Sequence, residues 1–203
     1  TVQMKWIEPN DELGNPDVVI IPGSKQTIKD LYSLNRAGLG KQIKDYAKNG
    51  GNLFGICGGL QMLGTSLEDP YKFESNEELN SFSYFGLGLI PIKTIFKKTK
   101  KVSQKNEQII WPKKKNINGF EMHHGESILE NNENLNIMPM FADPSLGWII
   151  QKTDKNFIGG TYLHGIFEDD EWRTEWINNI RKNNGLKKIS PCKENIKRER
   201  ILD

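Results

Sequence analysis

Side chains able to hold a metal or cross-link the chain are scarce: the 203 residues include two cysteines, Cys57 and Cys192, and three histidines, His123, His124 and His164. Two cysteines make no disulfide framework, and no Cys/His cluster has zinc-ligand spacing. A Walker-type phosphate loop is missing too, so neither a metal ion nor a cofactor is expected in this chain. No apolar run approaches the roughly 18 residues of a membrane span, and no charged-then-apolar leader opens the sequence. Charge of one sign is also lacking, since 28 Lys and Arg against 26 Asp and Glu leave a net charge of +2. Lysines do crowd the stretch from Lys93 to Lys115. Aromatic interleaving there is sparse, so a solvated β-rich region explains it better than a nucleic-acid surface, with contact to a polycarboxylate left open. What remains is a polar-surfaced single domain, 36% hydrophobic and 27% charged, large enough to bury a core. A free cysteine suits a reducing cytoplasm, which is the expected location.

The informative cysteine is Cys57. It stands in Gly55-Ile56-Cys57-Gly58-Gly59, after Asn52-Leu53-Phe54 and before Leu60-Gln61-Met62-Leu63. That order reads as a buried strand, a sharp glycine-framed turn and a helix. Such a turn forces its middle residue into a strained backbone conformation, and side chains on either flank would collide with neighbouring strands. It also sets the residue at a helix N-terminus, whose free N–H groups and dipole favour a thiolate. A lone cysteine is more often a small buried hydrophobe. The glycine frame makes a nucleophile the better reading.

A nucleophile needs a base. His164 lies in the β-rich stretch Gly159-Gly160-Thr161-Tyr162-Leu163-His164-Gly165-Ile166-Phe167. A neutral imidazole at a strand end can take the thiol proton and later hand it to a leaving amine. The plainer alternative is a histidine that ties two loops together. Pro22-Gly23-Ser24-Lys25 follows the apolar Val18-Val19-Ile20-Ile21 and precedes a helical stretch from Thr27. Gly23 lets the backbone approach a ligand, and N–H groups there, with that of Gly58, suit an oxyanion hole. On its own the loop is equally an ordinary strand-to-helix turn.

Periodicity supports an α/β fold. Val18–Ile21 and Leu53–Ile56 read as short apolar strands, and Leu39–Ala47 as an amphipathic helix that Asn49-Gly50-Gly51 stops. This strand-helix-strand unit predicts parallel pairing. From about Phe85 to Gly160 the chain is rich in β and turn signals, among them Gly86-Leu87-Gly88, Asn118-Gly119, Asp143-Pro144 and Gly159-Gly160. Trp172–Asn183 reads as a helix.

Four motifs carry a resemblance: Pro22-Gly23-Ser24-Lys25 with Thr27, the elbow from Gly55 to Gly64, Gly119-Phe120-Glu121-Met122-His123, and Gly160 to Phe167. In order and spacing they resemble the C-terminal class I glutamine amidotransferase domain of cobyric acid synthases, from about Asp17 to Asp203. The resemblance implies a flavodoxin-like, mostly parallel sheet flanked by helices, with a β-rich middle segment, and one domain over residues 1–203. It implies Cys57 as the nucleophile on the side-chain amide of glutamine and His164 as the base. Gly23, Ser24, Gly58, Gly59 and Gln61 fall at oxyanion or substrate-binding positions, and Glu121 and His123 in the vicinity of the site. Many amidotransferases carry a Glu two residues after the histidine to orient it. That position is Ile166 here, as in the resembled branch, which leaves the orienter of His164 open. Glu168, Asp169 and Asp170 are close in sequence but read better as a helix cap.

By the same resemblance both ends look cut. Val2–Trp6 reads as the second strand of the fold, and Arg200-Ile201-Leu202-Asp203 as the start of a terminal helix. The implied partner is an N-terminal synthetase domain of the same polypeptide, using ATP and Mg²⁺ to amidate a corrinoid acceptor. Related chemistry on another acceptor stays open: cobyrinate a,c-diamide synthase, or an enzyme amidating peptidoglycan precursors. So do a Cys-dependent hydrolase and a catalytically silent partner-binding domain.

Overall fold

In the computed structural model, residues 2–74, 81–130, 135–151 and 156–191 are described. Cys192 and the helix expected at residues 200–203 lie outside them. The chain runs from β1 (Val19–Ile21) through the Gly23 loop into α1 (Thr27–Arg36) and α2 (Leu39–Lys48). Next, β2 (Leu53–Ile56) turns at Cys57 into α3 (Gly58–Leu63). Short strands β3 (Ser66–Glu68) and β4 (Ser83–Phe85) precede a long hairpin of β5 (Ile92–Ile109) and β6 (Lys115–Leu129). After β7 (Ile137–Pro139), β8 (Gly147–Gln151), β9 (Phe157–Thr161) and β10 (Leu163–His164) comes α4 (Asp170–Asn183).

Among the described residues the strands form two five-stranded sheets, ordered β1-β2-β9-β8-β7 and β10-β6-β5-β3-β4. The first is parallel from β1 through β2 to β9, as the strand-helix-strand pattern predicts, and antiparallel beyond. Its parallel half brings the turns after β1 and β2 to one edge, where open α/β sheets place ligands. The β-rich middle builds most of the second sheet, mainly as the β5/β6 hairpin.

Three local expectations change. Val2–Trp6 forms no strand; Val2, Met4 and Trp6 are exposed, and β1 pairs only with β2 among the described residues. Asn118-Gly119 and Gly159-Gly160 are not turns but lie inside β6 and β9. The glycines serve close approach instead. A side-chain carbon at Gly160 would lie 2.5 Å from the Gly55 carbonyl oxygen, and one at Gly119 would lie 2.4 Å from that of His164.

The helices lie where their apolar faces demand. α1 buries Thr27, Ile28 and Leu31, and α2 buries Leu39, Ile43 and Ala47. Gln26 gives α1 no side-chain cap; the Glu74 carboxylate does so from a distance, accepting the Ile28 N–H at 2.9 Å. Burial pushes that carboxyl up to about 7, against the pull of the Ile28 bond. Asp169 caps α4 by accepting the Trp172 N–H at 2.8 Å, which is the role expected of the acids before Trp172. α4 then lays Trp172 and Trp176 against Phe54 of β2, with ring centroids 6.2 and 5.9 Å away. Phe167 completes the cluster 5.8 Å from Phe54. Burying one such ring stabilises the fold by about 1.5–3 kcal/mol, so the packing of α4 on β2, the strand that leads to Cys57, is firm.

At the elbow, backbone packs on backbone. A side-chain carbon at Gly59 would meet the Ile21 carbonyl oxygen at 2.0 Å, and one at Gly55 the Leu60 nitrogen at 2.5 Å. Gly59→Ala should therefore destabilise the protein by at least about 1–3 kcal/mol, as overpacking does, because β1 must retreat. Urea unfolding checks this; a midpoint equal to that of the unmodified protein would show that β1 yields without penalty.

Candidate active site

Cys57 adopts φ 52° and ψ −109°, a left-handed conformation that non-glycine residues rarely take. Its N–H donates to the Thr161 carbonyl at 2.8 Å, fixing the turn to the end of β9. The thiol is buried, and desolvation pushes it up to about 11. The Gly58 N–H and the Lys100 charge pull the other way without prevailing. The thiolate that a helix N-terminus favours is therefore not the resting form: the short α3 offers one amide, and burial outweighs it. The thiol instead donates to the Met122 carbonyl of β6 at 3.4 Å.

His164 ends β10 and reaches the same carbonyl, its Nε2 lying 3.2 Å from the Met122 oxygen. A carbonyl only accepts, so this nitrogen carries the proton. The three sequence motifs converge here. A side-chain carbon placed on Gly23 would be 3.8 Å from Cys57 Cβ and 3.8 Å from His164 Cε1. The imidazole stacks on Phe120, with centroids 5.1 Å apart and planes 8° apart. Ile166 points into the core at 1% exposure, and among the described residues no carboxylate bonds the His164 ring. Asp169 is engaged by Lys115 at 2.7 Å and by Trp172, and Asp170 pairs with Arg173.

The loop after β1 abuts the elbow. A side-chain carbon on Gly58 would sit 2.9 Å from the Ser24 nitrogen. The Ser24 amide nitrogen thus lies against the backbone of Gly58. The Ser24 hydroxyl turns away, donating to Asp30 at 2.5 Å and accepting the Gln26 N–H at 2.9 Å, so the loop contributes backbone rather than that side chain. Gln61 is buried; its Nε2 donates to the His124 carbonyl at 2.9 Å and its Oε1 accepts from Thr27 at 3.4 Å. That clamps α3 between α1 and β6.

Glu121 and His123 lie on the face of β6 opposite Phe120, since side chains alternate along a strand. They bond each other at 2.8 Å, and Lys101 and Lys105 reach Glu121 at 2.8 and 3.4 Å. Burial pushes the Glu121 carboxyl up, but the Lys101 and His123 bonds outweigh it and hold it below its ordinary value. Burial moves His123 down despite Glu121, favouring the neutral ring. That ring stacks on Tyr162, centroids 3.8 Å apart. Lys101, Glu121, His123 and Tyr162, with Lys97 and Lys100, line a cavity of about 460 Å³. They brace the strand that carries Met122.

Sequence reasoning missed three groups. Met122 acts through its carbonyl, which leaves no side-chain signal. Phe120 had a signal in its place beside Gly119, the residue that lets β10 close in. Glu74 reaches α1 from 46 residues away, beyond any local pattern. Because the resting thiol is held neutral, alkylation of Cys57 by iodoacetamide should be slow at pH 7. Its rate should climb roughly tenfold per pH unit toward about 11. A plateau already at pH 8 would show a stabilised thiolate.

A family model for the CobB/CobQ-like glutamine amidotransferase domain matches residues 1–172. Among curated relatives, the cobyric acid synthase of Prochlorococcus marinus strain NATL1A is 61% identical over 205 residues, covering 100% of this chain and 42% of the relative. That of strain MIT 9313 is 50% identical over 187 residues, covering 92% of this chain and 37% of the relative. The chain thus spans about two fifths of the length of these curated relatives. The fold is similar to a crystal structure of a glutamine amidotransferase, with a TM-score of 0.59 at 12% identity over 91% of this chain and 88% of that one. It is also similar to the structure of PurLQS from Thermotoga maritima, with a TM-score of 0.50 at 15% identity, over 78% and 74%.

Proposed function

The chain belongs to the CobB/CobQ-like glutamine amidotransferase family, and from that premise we propose that it is the ammonia-supplying part of a cobyric acid synthase. The observation that supports this most directly is the convergence of Cys57, His164 and the Gly23 loop at one sheet edge. In this reading glutamine enters with its side-chain amide over Cys57. The thiol proton passes to the unprotonated ring nitrogen of His164, and the sulfur attacks the amide carbon. The electron pair displaced onto the amide oxygen is held by the N–H groups of Gly58 and the Gly23–Ser24 loop. As the pair returns, the C–N bond breaks, the imidazolium gives its proton to the leaving nitrogen, and ammonia departs. Water, deprotonated by His164, then cleaves the thioester and releases glutamate.

The ammonia serves a synthetase domain of the same polypeptide, which activates peripheral carboxylates of adenosylcobyrinate a,c-diamide with ATP and Mg²⁺. A cytoplasmic setting accords with a free nucleophilic cysteine. One feature argues that this part works poorly alone: the thiol is committed to the Met122 carbonyl. The thiol must leave Met122 before it can pass its proton to His164.

Cys57→Ser in the full-length enzyme should abolish glutamine-dependent synthesis and leave ammonia-dependent synthesis largely intact; equal loss with both nitrogen sources would sink this division of labour. His164→Ala should lower glutamine hydrolysis by at least about a hundredfold, whereas His124→Ala changes it little. The isolated chain should release ammonia slowly, and turnover should rise when the synthetase domain, ATP and corrinoid are added. Full activity without them would mean that the site is complete within these residues.

A further inference from the structure

We propose that Phe120 is the positioning residue for His164, orienting the imidazole where other amidotransferases use a carboxylate. This rests on the glutaminase reading above. His164 and Phe120 are direct partners across the β10/β6 pair, and opposed side chains in such a pair are the unit of sheet contact. Their rings lie nearly parallel, 8° apart in plane with centroids at 5.1 Å. Gly119 makes the approach possible, because any side chain there would strike the His164 carbonyl.

Nothing in the core requires an aromatic ring at this place. Phe120 is 45% exposed, and among the described residues His164 is its one ring neighbour. The strand beneath it is held firmly from the opposite face, where Glu121 binds His123 and Lys101 and His123 stacks on Tyr162. A planar ring fixed on such a strand restricts rotation of the imidazole about its own axis. The remaining in-plane direction is set by the Nε2 bond to Met122, two residues along the same strand. One strand therefore supplies both restraints: the plane from Phe120 and the direction from the Met122 carbonyl. An aromatic face also tolerates the imidazolium that forms when His164 takes the thiol proton.

The test uses the full-length enzyme carrying Phe120→Leu, Phe120→Tyr or Cys57→Ser, with ammonia release measured against glutamine concentration and synthesis measured with ammonia as nitrogen source. Phe120→Leu should lower kcat about tenfold or more and leave KM for glutamine within about twofold, since misorientation affects chemistry rather than binding. Phe120→Tyr should restore kcat to within about twofold. Ammonia-dependent synthesis and the thermal midpoint should not move in either variant, which separates positioning from folding. A full kcat in Phe120→Leu, or a raised KM with unchanged kcat, overturns the positioning role. So does a Phe120→Tyr variant as slow as Phe120→Leu. If those results come with loss in Cys57→Ser, positioning fails alone; if Cys57→Ser keeps full glutamine turnover, the glutaminase reading fails and the positioning role falls with it.

Discussion

Gly59 lies so near Ile21 that a single added carbon would sit 2.0 Å from the Ile21 carbonyl oxygen, and most of the candidate site follows from that contact. With Gly55 packed on the start of α3 and Gly160 on Gly55, three parallel strands and a helix meet without intervening side chains. The chain between β2 and α3 then has little room to turn. Cys57 is left with a positive φ, a strain the surrounding close packing holds in place. The aromatic floor of Phe54, Phe167, Trp172 and Trp176 keeps the sheet from relaxing away from it.

The crowding that presents Cys57 also dries it. Desolvation of the thiol outweighs the amide of Gly58 and the charge of Lys100, so the resting sulfur keeps its proton. In the proposed reading such a thiol is inert until a base accepts that proton, and His164 is the base close by. Both groups donate to one carbonyl, that of Met122. Under the proposed function such a resting arrangement suits an enzyme part whose product is useful only when an acceptor is ready.

β6 connects the two halves of this picture. Its odd-numbered Glu121 and His123 are buried, Glu121 pairing with Lys101 and Lys105 and His123 stacking on Tyr162. Its even-numbered Phe120 faces His164, and the Met122 carbonyl reaches into the site. The motif Gly119-Phe120-Glu121-Met122-His123 thus mixes a close-packing glycine, an aromatic plate, two anchors and a backbone acceptor. No one chemical role covers it, and this is why its purpose was not legible as a string of residues.

What the sequence determined by itself was local. The glycine frame of Cys57, the apolar runs of β1 and β2, the amphipathic α2 and the acids capping α4 are all short-range patterns, and in each a steric or electrostatic argument favoured one reading. They gave the parallel core, and the resemblance carried by the four motifs added Cys57, His164 and Gly23 as candidates for one site. Tertiary structure decided the rest. Gly159-Gly160 and Asn118-Gly119 carry the composition of turns, yet sit within strands because a neighbouring backbone passes too close for any side chain. The Glu74 cap on α1, the burial that keeps the thiol neutral and the Phe120 plate over His164 arise between residues far apart in the chain. Their strength depends on distance and desolvation, which exist only once the sheets have closed on one another.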